Sequence, residues 1–315
     1  EFHYLHHDAQ GKRYANPCEM GDRLKAAAEA VGIRFTLVPV FYKWGDFKKP
    51  ATPKQKRFVL NTADEYLKLF EAYQGRNESV ALGVHSLRAS SPEETKAILG
   101  LKTKSQKHLH IAEQEKEVET CKRILKARPI DWLMSHVKVD SNFHLVHCTH
   151  ANPAELKKIV KAKANVVLCP STEANLGDGF FSIDEFTKLG GRWSIGSDSH
   201  IGLNPLEELR WLDYGARLRQ QKRNPNCHRS GADSGKMLLK QAMFQVGDFF
   251  DAIVIDSNAA LLGGTHEDRR LSTLLFATDS TVLKGTIVGG RWRAREGRAL
   301  CEVSKDVSVL RSMRK

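Results

Sequence analysis

Apolar runs of four to seven residues alternate along the chain with amphipathic stretches. The two periods, two and about 3.6, predict strands and helices in regular succession. The strand candidates are Glu1–Leu5, Phe35–Phe41, Val80–His85, His108–Glu113, Phe143–Thr149, Val166–Ser171 and Trp193–Asp198. Their nearly continuous apolar character suits strands covered on both faces, which implies a parallel sheet packed under helices. Three helix starts are legible in Ser91-Pro-Glu-Glu94, Asn152-Pro-Ala-Glu155 and Asn204-Pro-Leu-Glu207. Each offers a capping side chain, proline in the first turn and glutamate three residues after the cap. Gly32 and Gly100 stand where helices should stop.

The polar residues that interrupt this pattern decide between an open sheet and a closed (β/α)8 (TIM-like) barrel. His85, His110, His147, Ser171 and Asp198 fall at or near the carboxyl ends of successive strands. Chemistry drawn from so many strand ends suits a barrel mouth, whereas an open sheet gathers it at one switch point. No GxGxxG follows the first strand, which removes the usual dinucleotide signature. A barrel needs eight strands and seven are visible. The chain also opens in mid-strand without an initiator methionine or leader, so the first strand is expected upstream of Glu1. Farther on, Gln220–Ser234 reads as loop and Ser234–Phe244 as helix, and Gln245–Asp256 and Ser280–Trp292 are strand-like. The expected organisation is a barrel over 1–244 and the C-terminal part of a small β-sandwich domain over 245–315. The abrupt join near Phe244 suggests further residues there.

The densest chemistry lies in Lys107–Gln114, KHLHIAEQ. Residues two apart on a strand share a face, so His108 and His110 point the same way, with Glu113 just beyond. Imidazole suits zinc and iron, a carboxylate can complete the set, and an open position holds the activated water. His110 and Asp198 are the best ligand candidates. A catalytic metal takes three or more protein groups, so other ligands must come from elsewhere. His147 is open to three roles: ligand, general base or electrophile. Glu113, not needed by the strand, is the natural proton carrier. His144 and His150 are expected to support the site or lie at the surface. In His85-Ser-Leu-Arg88 the arginine offers a planar fork for a carboxylate and the histidine a second donor. The stretch Cys169–Gly179, CPSTEANLGDG, reads as a glycine-bearing loop lining a pocket.

Composition narrows the classes. At 35.4 kDa, with 41% hydrophobic and 27% charged residues, the chain can bury a large core. No run of about eighteen apolar residues is present, so no membrane-spanning helix is expected. Six scattered cysteines without a CxxC pair point to a reducing compartment, by default the cytoplasm. The formal charge of +12 is spread over helix faces and the tail rather than gathered in a nucleic-acid-binding module. It is read as solubility and attraction of an anionic substrate, with no nucleic-acid and no membrane partner.

HxxE in His110–Glu113, a histidine at the next strand end and the closing Ile195-Gly-Ser-Asp-Ser-His200 together resemble the deaminase branch of the amidohydrolase superfamily. Within that branch, EFHYLHHD, HSLRA, HIAEQ, VHCTH, CPSTEANLGDG, GSDSH and PLEELRWLDYG are similar to the formimidoylglutamate deiminases of histidine catabolism. The likeness runs from Glu1 to about Asn224 and resumes more loosely from Gln245 to about Arg298. It implies one zinc per chain, held by an upstream HxH pair with His110 and Asp198. It further implies that Asp198 and His147 activate the hydrolytic water and that Glu113 shuttles a proton to the departing nitrogen. The implied substrate is a small dicarboxylate, N-formimidoyl-L-glutamate, with His85, Arg88 and Tyr42 carried over as its contacts. The resemblance also admits a homodimer. Guanine-type deaminases share HxxE and the last aspartate, but HSLRA and TEANLGDG are not expected in them. A guanine-type aminohydrolase and a metal-free, truncated binding paralogue remain as alternative readings.

Overall fold

The computed structural model describes residues 5–77, 79–200, 202–226, 233–242 and 249–301. Among them the main sheet has six strands: β1 (Val40–Phe41), β4 (Leu82–Val84), β5 (Lys107–Ile111), β6 (Phe143–His147), β7 (Asn165–Leu168) and β8 (Arg192–Ile195). A small antiparallel hairpin, β2 (Trp44–Asp46) and β3 (Lys49–Pro50), follows β1. The order β1-β4-β5-β6-β7-β8 is parallel throughout, and each strand bonds its successor across an intervening helical segment. This is an α/β fold of the (β/α)8 class. Of the seven expected strands, six are present with shorter bounds. The candidate Glu1–Leu5 lies outside the described residues except for Leu5, which is not in a strand.

Alternation along the strands divides their side chains cleanly. Leu109, Ile111, Phe143, Leu145, Val166 and Leu168 enter the core under the helices. His108, His144, Asn165 and Ser194 turn to the other face, where the two imidazoles stack at 4.6 Å and Asn165 Nδ2 donates to Ser194 Oγ at 2.9 Å. Burial lowers the pKa of both histidines, that of His144 to about 4, so this interior layer is neutral at pH 7. Lys107 starts β5 in a buried position because its ammonium donates to Leu99 O and Leu101 O, carbonyls left open where the helix Pro92–Leu99 ends.

The helix starts follow their sequence signals with one change. Ser91 with Glu94 and Asn152 with Glu155 form reciprocal capping boxes. Asn204 instead accepts from Leu206 N, and its helix runs Pro205–Gln220 without the box. Gly32 ends its helix in the left-handed region at φ 72°, whereas Gly100 ends its helix at φ −79°, a conformation any residue adopts. The stretch expected to be a glycine-bearing loop after Cys169 is in its first part a helix, Pro170–Leu176, because Pro170 at the first position and Gly177 past the end bracket it.

Beyond the helix Ser234–Ala242, a four-stranded antiparallel sheet of order β12-β11-β10-β9 is built from β9 (Ala252–Ile255), β10 (Leu283–Val288), β11 (Arg291–Arg295) and β12 (Arg298–Ala299). The run Gln245–Asp256 forms strand only over its last part, and residues 245–248 lie outside the described set. Ser280–Trp292 opens with a single 3-10 turn before β10, where Asp279 caps Thr281 N.

Candidate active site

Three side chains meet where β5, β6 and β8 end. The ligand atoms of His110, His147 and Asp198 all lie within 4.8 Å of one another. Each arrives by a local device. His110 sits on the interior face of β5, and the His85 carbonyl accepts from its backbone N–H at 3.0 Å and from its ring Nδ1 at 2.8 Å. A carbonyl only accepts, so Nδ1 carries the proton and Nε2 carries the lone pair. Burial, aided by neighbouring His147, lowers the His110 pKa to about 4, which keeps the ring neutral and ready to coordinate.

His147 reaches the site against the alternation of its strand. Phe143 and Leu145, four and two residues before it, face the helices. A positive φ of 73° at His147, followed by 51° at Cys148, swings the ring back to the interior. Ala112 at φ 51° and Asp198 at φ 48° make comparable turns at the ends of β5 and β8. Non-glycine residues held left-handed at three strand ends concentrate strain at this one place.

The ring of His147 is fully buried and surrounded by carboxylates. Nδ1 pairs with Glu173 Oε1 at 3.2 Å. Nε2 lies 3.3 Å from Asp198 Oδ2 and 3.7 Å from Glu113 Oε1, at ion-pair distance but without an aligned hydrogen bond. Burial opposes a charge here, yet the carboxylates of Asp198, Glu173 and Glu113 outweigh it and push the pKa up to about 10. Asp198 is correspondingly held below the usual carboxylate range by His147 and His110, against the effect of its own burial. Burial raises the pKa of Glu113, and the charge of His147 only partly offsets this. An acid of raised pKa beside a charged imidazole suits proton transfer near neutral pH.

Of the remaining expected residues, His85 and Tyr42 stand beside this cluster and Arg88 lines an adjoining cavity. His85 is half-buried, its Nδ1 shares a hydrogen bond with Ser86 Oγ at 3.0 Å, and its ring lies 5.0 Å from that of His110. Tyr42 packs edge-on against His85 at 4.7 Å, and its hydroxyl accepts from Gln55 Nε2 at 2.7 Å. Arg88 is half-buried and lines a cavity of about 170 Å³ with Asp46, Gln114, Lys116 and Glu117. Its guanidinium makes no hydrogen bond or ion pair with any described residue. Ser171, counted among the strand-end residues, is structural: its N–H and hydroxyl both donate to Glu208. His144 lies in the interior layer below, and His150 Nε2 bonds Asp178 O at 2.7 Å.

Sequence reasoning did not single out Glu173 and Glu117. Glu173 had one readable signal, a carboxylate one turn into a helix that opens at a strand end, where its side chain can face the mouth. Glu117 looked like an ordinary acidic residue in the first turn of the helix Glu115–Leu125. Its burial, with 6% exposure, follows only from the packing.

The donor set fits a divalent metal of the zinc type. It offers the neutral imidazole of His110 and the ionised carboxylate of Asp198, with the buried ring of His147 beside them. Comparisons with known proteins find one family and one fold. The description of the amidohydrolase family matches residues 12–293. The chain is 42% identical over 317 aligned positions to formimidoylglutamate deiminase of Pseudomonas aeruginosa, which covers 95% of this chain and 70% of that protein. It superposes on an amidohydrolase crystal structure from Brucella melitensis with TM-score 0.86 and 37% identity, over 95% of this chain and 70% of that one. An adenosine deaminase from Xanthomonas campestris with bound zinc shares the fold at TM-score 0.71 and 18% identity, over 96% of this chain and 68% of that one.

Proposed function

The chain belongs to the amidohydrolase family, and on that basis we propose that it hydrolyses N-formimidoyl-L-glutamate to N-formyl-L-glutamate and ammonia, the deimination step of histidine catabolism. The observation that carries the substrate assignment is Arg88. A half-buried guanidinium without a hydrogen-bond or ion-pair partner among the described residues, close enough for its charge to bear on Glu113 and His110, asks for an anion as its partner. A purine, the substrate of guanine-type relatives, has no carboxylate to offer it.

We assign the metal to His110 and Asp198, one zinc per chain, with His147 beside it. When bound, such a metal lowers the pKa of water toward neutrality and polarises the group under attack. The protein supplies the rest. Arg88 and His85, backed by Tyr42, hold the substrate carboxylates and fix the formimidoyl carbon over the cluster. Asp198 takes the proton of the attacking water as its oxygen bonds to that carbon. His147, charged between its carboxylate neighbours, steadies the oxygen through Nε2. Glu113 delivers a proton to the terminal nitrogen, the carbon–nitrogen bond breaks with its electron pair passing to nitrogen, and ammonia leaves as the remaining hydroxyl proton returns to Glu113 and the formyl carbonyl closes.

The substrate is thus a small dicarboxylate. The five described cysteines are free thiols and fit a reducing compartment such as the cytoplasm. Among the described residues no helix is long and apolar enough to cross a membrane. We read 1–244 as the hydrolase barrel and 245–315 as belonging to the small β domain. The test is ammonia release by zinc-loaded protein from formimidoylglutamate, guanine and adenosine, with the acyl product identified by mass spectrometry. Comparable efficiency on a purine, or no N-formylglutamate, would overturn the assignment.

A further inference from the structure

Glu117 follows Glu113 by four residues and is buried in a helix's first turn, a place where a carboxylate ordinarily reaches the exposed backbone N–H of the cap. Here it reaches farther back. One oxygen accepts from Ala112 N at 3.2 Å and the other from Glu113 N at 3.0 Å. Both amides belong to the turn at the end of β5, where Ala112 is held left-handed at φ 51°. On its other side this turn is tied to the next strand end by Cys148 N to Ile111 O and His150 N to Ala112 O, both 3.0 Å. A left-handed alanine is unfavourable on its own. Paired N–H groups converging on one carboxylate are what such a turn presents. The cavity that Glu117 shares with Arg88 underlines the choice: the carboxylate is engaged by backbone amides, and no Arg88–Glu117 ion pair forms.

We propose that Glu117 is a positioning residue for the reaction: it clamps the Ala112–Glu113 turn and so sets where the Glu113 carboxyl stands relative to His147. The proposal rests on Glu113 being the proton carrier. It extends the site by a residue that touches neither metal nor substrate and acts through its neighbour.

Glu117→Ala removes both acceptors. Glu117→Gln retains one oxygen but points an NH2 at the other amide, and it preserves packing if the alanine variant folds poorly. The expected result in zinc-loaded protein is a fall in kcat of about ten- to a hundredfold for Glu117→Ala, smaller for Glu117→Gln, with KM nearly unchanged. Metal content should stay at the wild-type level. Amide exchange, read by mass spectrometry on peptides spanning 110–118, should accelerate in both variants. In a Glu113→Gln background the same substitutions should cost little more, because the group they position is already gone. An equal kcat loss in both backgrounds, or unchanged amide exchange, would overturn the clamp. A fully active Glu113→Gln enzyme would instead overturn the proton-carrier reading, and the catalytic part of this proposal with it.

Discussion

His147 Nε2 stands 3.3 Å from Asp198 Oδ2, while the opposite ring nitrogen is held by Glu173 at 3.2 Å. The imidazole therefore bridges two carboxylates contributed by different βα units, and its orientation is decided before any ligand arrives. Its protonation is decided too. Burial alone would discharge the ring, but the surrounding carboxylates keep it charged until about pH 10.

That shift has a consequence for stability. The His147 pKa in the folded, metal-free protein lies above its ordinary value near 6.5, so its contribution is complete below about pH 6.5. It is lost as pH rises toward and through about 10. Thermal melts of metal-free protein from neutral to alkaline pH should show Tm falling more steeply than in His147→Gln. Parallel profiles for the two proteins would show that His147 does not titrate this way.

His110 and Asp198 are expected to hold the metal. Replacing either with alanine should lower zinc content at fixed free zinc, and the loss should track activity. A chelator should abolish turnover of the wild type, and added zinc should restore it. Elemental analysis per chain is the measurement, and full zinc retention in His110→Ala would remove that residue from the ligand set.

Glu113→Gln preserves size and hydrogen bonding but removes the proton. Zinc should remain bound while kcat falls by roughly two to four orders of magnitude. Near-normal turnover would exclude Glu113 from the mechanism.

Arg88→Lys should fold normally, since no described residue hydrogen-bonds or ion-pairs with the guanidinium and lysine keeps the positive charge that acts on Glu117 and Glu113. An ammonium cannot reproduce the bidentate fork, and a charge-assisted contact of this kind is worth about 1.5–3 kcal/mol. A loss of roughly ten- to a hundredfold in kcat/KM is expected. A substrate analogue with the relevant carboxylate amidated should be turned over poorly by both proteins and be almost insensitive to the substitution. A strongly lowered Tm with equal penalties on both substrates would make Arg88 a scaffold residue.

Much of this arrangement was legible in the sequence because it depends on local rules. Two residues apart on a strand means one face, which brought His110 to the interior and sent Leu109 and Ile111 to the core. Apolar runs separated by capped helices determined a parallel α/β sheet, and polar residues at the ends of those runs located its reactive edge. What the tertiary structure alone decided lies where local rules are broken. Alternation along Phe143–His147 would send His147 to the helices with Phe143 and Leu145, and only its left-handed backbone returns it to Asp198. That conformation is unfavourable in isolation, and it persists because neighbouring strand ends hydrogen-bond around it. Glu117 and Glu173 are equally invisible in one dimension. A carboxylate in the first turn of a helix is ordinarily solvated, and it becomes a clamp or an orienting partner only when packing removes the water and leaves a backbone amide or an imidazole as the donor within reach.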